Sequence, residues 1–419
     1  MIRKITILIA VVMLIPIPIA QPLLAISPPQ ASFTYYPYPP LVNRTITFDS
    51  STSKPGGTNA IIIKSEWNFG DGSPKVTTSD NFTTHAFTVA SDYTVTLNVT
   101  NSQGSWNSTS QSITVYAFNL TVQTSKVKYD RFDTALVEGT FTWVPGNYPV
   151  MEGLVGVEIR KPGGTAFLFR TRPTSAIGAQ NYQVSFTQFY TCDSNQVPKT
   201  TFKSGYDIWI YAEWQNHDAT QAYNVTTCIA ALDPNSAPIG NAYSFSTVTL
   251  PGGPGSVFFR ATQITDAGIL GNIILYGSLF SDFPSNGGYP YCPESTATFA
   301  IASASVSQPA IGNSALDLSA DGTYDLSFRF QFSGAVIGNY VVYASVFYYD
   351  MLVRRNVNFT LFVMGDINGD SVVDIYDAIM LSNAFSSSPG KSNWNPNADL
   401  NGDGVVDIYD AIILAGHYG

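Results

Sequence analysis

Ten oxygen-bearing side chains near the C-terminus fall at one repeated spacing. Asp366, Asn368, Asp370, Asp374 and Asp377 occupy positions 1, 3, 5, 9 and 12 of a twelve-residue stretch. Asp399, Asn401, Asp403, Asp407 and Asp410 occupy the same positions 33 residues later, and the two stretches agree at ten of twelve residues. Oxygens so spaced, completed by the carbonyl of position 7 (Val372, Val405), can wrap a hard cation that takes about six to eight oxygen ligands. Four carboxylates confined to one short loop would repel one another without such a cation. The expectation is two bound Ca²⁺ ions, with Asp374 and Asp407 ligating directly or through water. Position 6 is Gly404 in the second loop but Ser371 in the first. A tight turn there favours glycine, so the first site should be the weaker.

No comparable constellation for catalysis emerges, and no catalytic residue is assigned. The chain has only six Glu and three His, with no Gly-x-Ser-x-Gly elbow, His-Glu-x-x-His or phosphate loop. One further candidate lies in Ile208-Trp-Ile-Tyr-Ala-Glu-Trp214, where a strand would set Trp209, Tyr211 and Glu213 on one face. Aromatic rings beside a carboxylate suit a sugar. They equally suit an aromatic cover over a sheet.

Helices should follow each loop, because Ile375, Ala378 and Ile379, like Ile408, Ala411 and Ile412, recur at i, i+3, i+4. Upstream, from residue 28 to 363, short strands alternate with Gly, Pro, Asn and Ser. Tyr93, Val95, Leu97 and Val99 share one face of a half-buried strand, whereas 340–349 is apolar on both faces and should lie centrally in a sheet. Gly205-Tyr-Asp-Ile-Trp-Ile-Tyr-Ala212 and Gly338-Asn-Tyr-Val-Val-Tyr-Ala344 look like counterparts. They predict two consecutive sandwiches, 117–235 and 236–364, divided near Asp233-Pro-Asn-Ser-Ala-Pro238.

Charge and the N-terminus bound the class. Net charge is −10, of which the last 55 residues contribute −7, so no basic field exists to attract nucleic acid. Arg3 and Lys4 precede an apolar run over 5–15 that Pro16 and Pro18 break, the layout of a secretory signal peptide over 1–27. No later stretch is long and apolar enough to span a membrane. Cys192 and Cys228 could pair in an oxidising compartment, leaving Cys292 single, or all three could be buried thiols.

Two resemblances organise these readings. Trp67-Asn-Phe-Gly-Asp-Gly-Ser73, then His85-Ala-Phe87 and the alternating Tyr93–Val99 run, resembles the PKD family of immunoglobulin-like domains over 28–116. It implies a β-sandwich spacer or adhesion module with Trp67 and Phe69 in its core, and His85 as either a ligand or a satisfied structural residue. The duplicated EF-hand-like loops, each leading into a helix, together with Trp394-Asn-Pro, resemble dockerin type I modules over 365–419. That resemblance implies docking onto a cohesin through loop positions 10 and 11, here Ile375, Tyr376, Ile408 and Tyr409. The fold expected is mainly β: tandem immunoglobulin-like sandwiches followed by a small helical calcium-binding module. The function expected is a secreted, non-catalytic protein that docks onto a cohesin-bearing extracellular or cell-surface assembly. The alternative is a carbohydrate-binding or glycoside-hydrolase subunit of a polysaccharide-degrading complex.

Overall fold

The computed structural model describes residues 27–176, 178, 181–302, 322–330 and 335–419. The expected signal peptide, apart from Ser27, lies outside them. The described chain is mostly β, with helices concentrated near its end, and it divides into two compact units, 1–117 and 118–419.

In the first unit, alternation builds a two-sheet sandwich. Ile62–Asn68 lies between Val76–Thr78 and Ser91–Asn101, which Trp106–Val115 extends. Facing it, Ile46–Asp49 lies between Thr34–Tyr36 and Phe82–His85. Val95, Leu97 and Val99 are fully buried, and Trp67 and Phe69 stack 6.5 Å apart against Phe48. Gly70 has φ +77°, and a Cβ there would meet the Thr94 carbonyl at 2.5 Å, so the turn after Phe69 requires glycine. His85 stacks on Phe69 at 4.0 Å and bonds Asp71 at 2.7 Å, so its partners are supplied within the unit.

The second unit departs from the expected layout. One sheet runs Lys128–Asp130, Met351–Phe362, Gly338–Tyr348, Leu154–Arg160, Ala166–Pro173, and it faces Thr134–Val144 paired with Tyr148–Pro149 and Thr323–Arg329. An outer sandwich is thus assembled from both ends of this region. Residues 182–302 form a second sandwich inserted within it. Its sheets are Val184–Cys192, Trp209–Asn216, Pro254–Arg260 and Thr201–Lys203, Ser295–Ala302, Gly271–Phe280, Tyr223–Leu232, Tyr243–Thr249. The division expected at 235/236 is therefore corrected. Asp233-Pro-Asn-Ser is a hairpin turn between paired strands, with the Asp233 carboxylate accepting the amides of Asn235 and Ala237 at 2.9 and 2.7 Å. Turn and linker share the same Asx and Pro chemistry.

Buried polar contacts lock insert to frame. Arg170 donates to both Glu294 oxygens at 2.9 and 2.6 Å, and the Ser285 amide donates to buried Glu158 at 2.7 Å. Phe169, Cys228 and Phe280 pack beside them. All three cysteines are buried and unpaired. Gly338–Tyr348 is paired on both sides, as its two apolar faces require.

Residues 364–419 add two helices, Ile375–Ala384 and Ile408–Gly416, around a core of Ile367, Val373, Leu381, Val406 and Leu414. Val363 from the outer sandwich belongs to the same core, and Ile337 packs on it.

Candidate metal centre

The two loops are built alike. In the first, Asp366 accepts the amides of Gly369, Asp370 and Ser371 at 2.7, 3.1 and 2.8 Å, closing the turn on its own carboxylate. Asn368 and Asp370 bind each other's groups, and Asp370 also accepts the Val372 amide at 3.0 Å. In the second, Asp399 accepts from Gly402 and Gly404 at 3.0 and 2.9 Å, and Asn401 and Asp403 repeat the same pairing.

Each loop then hands the chain to a helix. Asp374 and Asp407 are N-caps, taking the amides of Tyr376 and Tyr409 at 2.8 Å. Asp377 and Asp410, at the third helical position, return bonds to the cap amides at 2.9 and 2.8 Å, completing capping boxes. Both are fully buried and also bind the amides of loop positions 2 and 3, Ile367 and Asn368 at 2.7 and 3.0 Å, and Leu400 and Asn401 at 2.7 and 3.1 Å. Position 12 is therefore the clasp that joins loop to helix. Val372 and Val405 project outward, leaving position 7 only its carbonyl to offer.

Among the described residues, no three His, Cys, Asp or Glu side chains converge as a ready-made metal cage; the carboxylates turn onto backbone amides instead. The donor set nonetheless fits a hard cation. It is all oxygen, and most of these hydrogen-bonded oxygens retain a lone pair. Asp366, Asn368, Asp370, Asp374 and Asp377, with their counterparts in the second loop, would hold it.

Position 6 differs as its residues demand. Gly404 sits at φ +86°, and Ser371 is forced to φ +74°, a conformation costly to a residue with a Cβ.

The helices turn apolar residues to solvent. Ile375 and Tyr376 are 54% and 64% exposed, Ile408 and Tyr409 57% and 63%, so neither pair packs between the helices. Ile379 and Ile412 join them at 49% and 61%. Their periodicity had pointed only to a helical face, whereas Ala378, Leu381, Ala411 and Leu414 carry the inward side.

Residues 28–117 match the family model of the PKD domain, and residues 364–417 that of the dockerin type I domain. The chain carries a PKD domain and a type I dockerin. Solved structures similar to it include the PKD1 domain of Vibrio anguillarum Epp, at 25% identity over 21% of this chain and 93% of that one (TM-score 0.18). Another is the PKD1 domain of the Vibrio cholerae metalloprotease PrtV, at 28% identity over 21% and 96% (TM-score 0.18). The fibronectin(III)-like modules of Clostridium thermocellum CbhA align at 8% identity over 68% and 100% (TM-score 0.19). No curated protein matches the chain. No helix among the described residues is long and apolar enough to cross a membrane. In the dockerin, the Ile-Tyr pairs sit one and two residues after each N-cap, so the elements that order the loops also set the exposed pairs.

Proposed function

We propose that this is a secreted, non-catalytic modular protein whose dockerin binds two Ca²⁺ ions, one per loop, and docks onto a cohesin of an extracellular or cell-surface assembly. The PKD domain and the nested sandwiches act as spacer or adhesion modules. The observation that carries this reading is the duplicated exposed pair, Ile375 with Tyr376 and Ile408 with Tyr409, held directly beside two all-oxygen loops. Large apolar side chains offered to water on a well-capped helix start suit a buried interface anchor. Because such a small module has little core of its own, calcium contributes much of its folding free energy.

The test is capture of the full chain on immobilised type I cohesins in Ca²⁺ and in EDTA, with calorimetric counting of bound Ca²⁺. Calcium-dependent capture, two ions per chain, and loss of capture without loss of calcium when all four residues are changed to Asp are expected. Capture unaffected by those four changes, or by EDTA, would refute the assignment.

A further inference from the structure

The insert carries a second constellation on the outward face of its three-stranded sheet. Strand register sets it out in rows. Trp209 and Arg260 stand opposite one another in the first, beside the buried Cys192, with Tyr190, Tyr211 and Phe258 in the second, and Gln188, Glu213 and Ser256 in the third. Ile210, Ala212 and Trp214 alternate with these along the central strand and are fully buried, so the sheet's other face already has its core.

The aromatic groups are ordered among themselves. Tyr190 and Tyr211 have ring centroids 5.2 Å apart, and Trp209 stacks on Phe258 at 4.7 Å with planes 23° apart. The Tyr211 hydroxyl donates to Glu213 Oε2 at 2.6 Å, while Thr187 donates to Oε1 at 2.9 Å. A tyrosine tied by its hydroxyl to the residue two places on lies along its strand, and Tyr190, Tyr211 and Phe258 are each only partly buried. The same two hydrogen bonds, Tyr211's first, hold the Glu213 carboxyl below the usual range, so it is an ionised acceptor at neutral pH.

We infer that this face binds an uncharged oligosaccharide or polysaccharide chain, its rings stacked along the Tyr190, Tyr211 and Phe258 row and its hydroxyls directed to Glu213. A pyranose has an apolar C–H face that matches an aromatic ring and a rim of hydroxyls that needs fixed acceptors. The row spans three strands, about 10 Å at the usual interstrand spacing, room for more than one sugar ring. Charge decides between ligand classes. The one cation of the grid, Arg260, is paired with Asp207 at 2.5 Å. The remaining charge is the Glu213 carboxylate, so a phosphorylated or carboxylated chain meets no counter-charge.

The experiment titrates the full chain, in EDTA so that the dockerin plays no part, with cellohexaose, xylohexaose, mannohexaose and an oligogalacturonate, read by calorimetry. Saturable binding of at least one neutral hexasaccharide is expected. It should weaken about tenfold or more in Tyr211→Ala and Phe258→Ala, and stay unchanged in Trp106→Ala, an exposed tryptophan of the PKD domain. If Tyr211→Ala does not melt like the parent, Tyr211→Phe and Glu213→Gln replace it and should weaken binding too. The inference is overturned if no neutral oligosaccharide binds at millimolar concentration, if binding survives these changes, or if the acidic oligomer is preferred. Self-association in sedimentation that vanishes in Tyr211→Ala would assign the face to a second copy and equally overturn it. Each outcome is independent of cohesin capture.

Discussion

Asp130 accepts the backbone N–H of Met364 at 2.8 Å, so a buried carboxylate 234 residues upstream holds the peptide that opens the dockerin. Its other oxygen lies 3.8 Å from His417 Nε2, near the end of the last helix. Together with the core shared through Val363, this leaves no free linker between outer sandwich and dockerin.

Asp130→Ala should therefore leave the Met364 amide unpaired and destabilise that junction by about 1–3 kcal/mol. Scanning calorimetry of the full chain in Ca²⁺ should show the dockerin melting earlier, as a separate shoulder. Asp130→Asn, which keeps an acceptor, should be milder. An unaltered thermogram for the Ala variant would show that the bond contributes nothing.

Ser371→Gly should relieve the left-handed strain at position 6 of the first loop by about 1 kcal/mol. Where that relief appears in the calcium-bound state it tightens the first site roughly fivefold. Gly404→Ser should weaken the second site to a similar degree. Calorimetric titrations that place both variants on the parent curve would show that position 6 does not set calcium affinity.

In the PKD domain, burial opposes ionisation of Asp71, but hydrogen bonds from Ser73 and His85 outweigh it and bring the carboxyl down to about 2. A folded value below the unfolded one, about 3.9, stabilises fully above that unfolded value, and the contribution is lost as pH falls toward about 2. Urea midpoints of the full chain measured from pH 6 to 2 should fall in that window for the PKD transition. In Asp71→Asn the fall should be shallower; equal slopes would rule this carboxylate out.

Glu294→Ala should be the most damaging single change in the nested sandwiches, since it strands the buried Arg170 guanidinium at a cost of about 3–5 kcal/mol. Replacing both, Arg170→Met with Glu294→Leu, should recover part of the loss, because the buried Thr171 amide, which also donates to Glu294 at 2.9 Å, still loses its acceptor. Thermal melts of the two variants test this, and a double variant no better than the single would refute it.

The sequence made the local features legible. Trp67 and Phe69, the alternating strand through Leu97, and both loops with their helix starts lie where spacing and residue type placed them. What escaped was non-local. Leu154–Arg160 pairs with Gly338–Tyr348 across the whole insert, and periodicity within either strand carries no mark of its partner. Ile379 and Ile412 show the other limit: an i, i+3, i+4 pattern identifies a face without saying whether protein or water meets it. Asp130 had no local signal, because its partner is a backbone amide on a distant segment.

The nesting of one sandwich inside another also sets an order of assembly. Every strand of the insert is contained in 182–302, while the outer sheet needs strands up to Phe362 before its middle can be filled. A chain emerging N-terminus first can complete the PKD domain and then the insert, but Leu154–Arg160, paired on one edge with Ala166–Pro173, must wait for Gly338–Tyr348 with its other edge unpaired. The frame closes last, almost together with the dockerin that shares its core, so an interrupted chain would expose the outer sandwich and lack its plug at the same time.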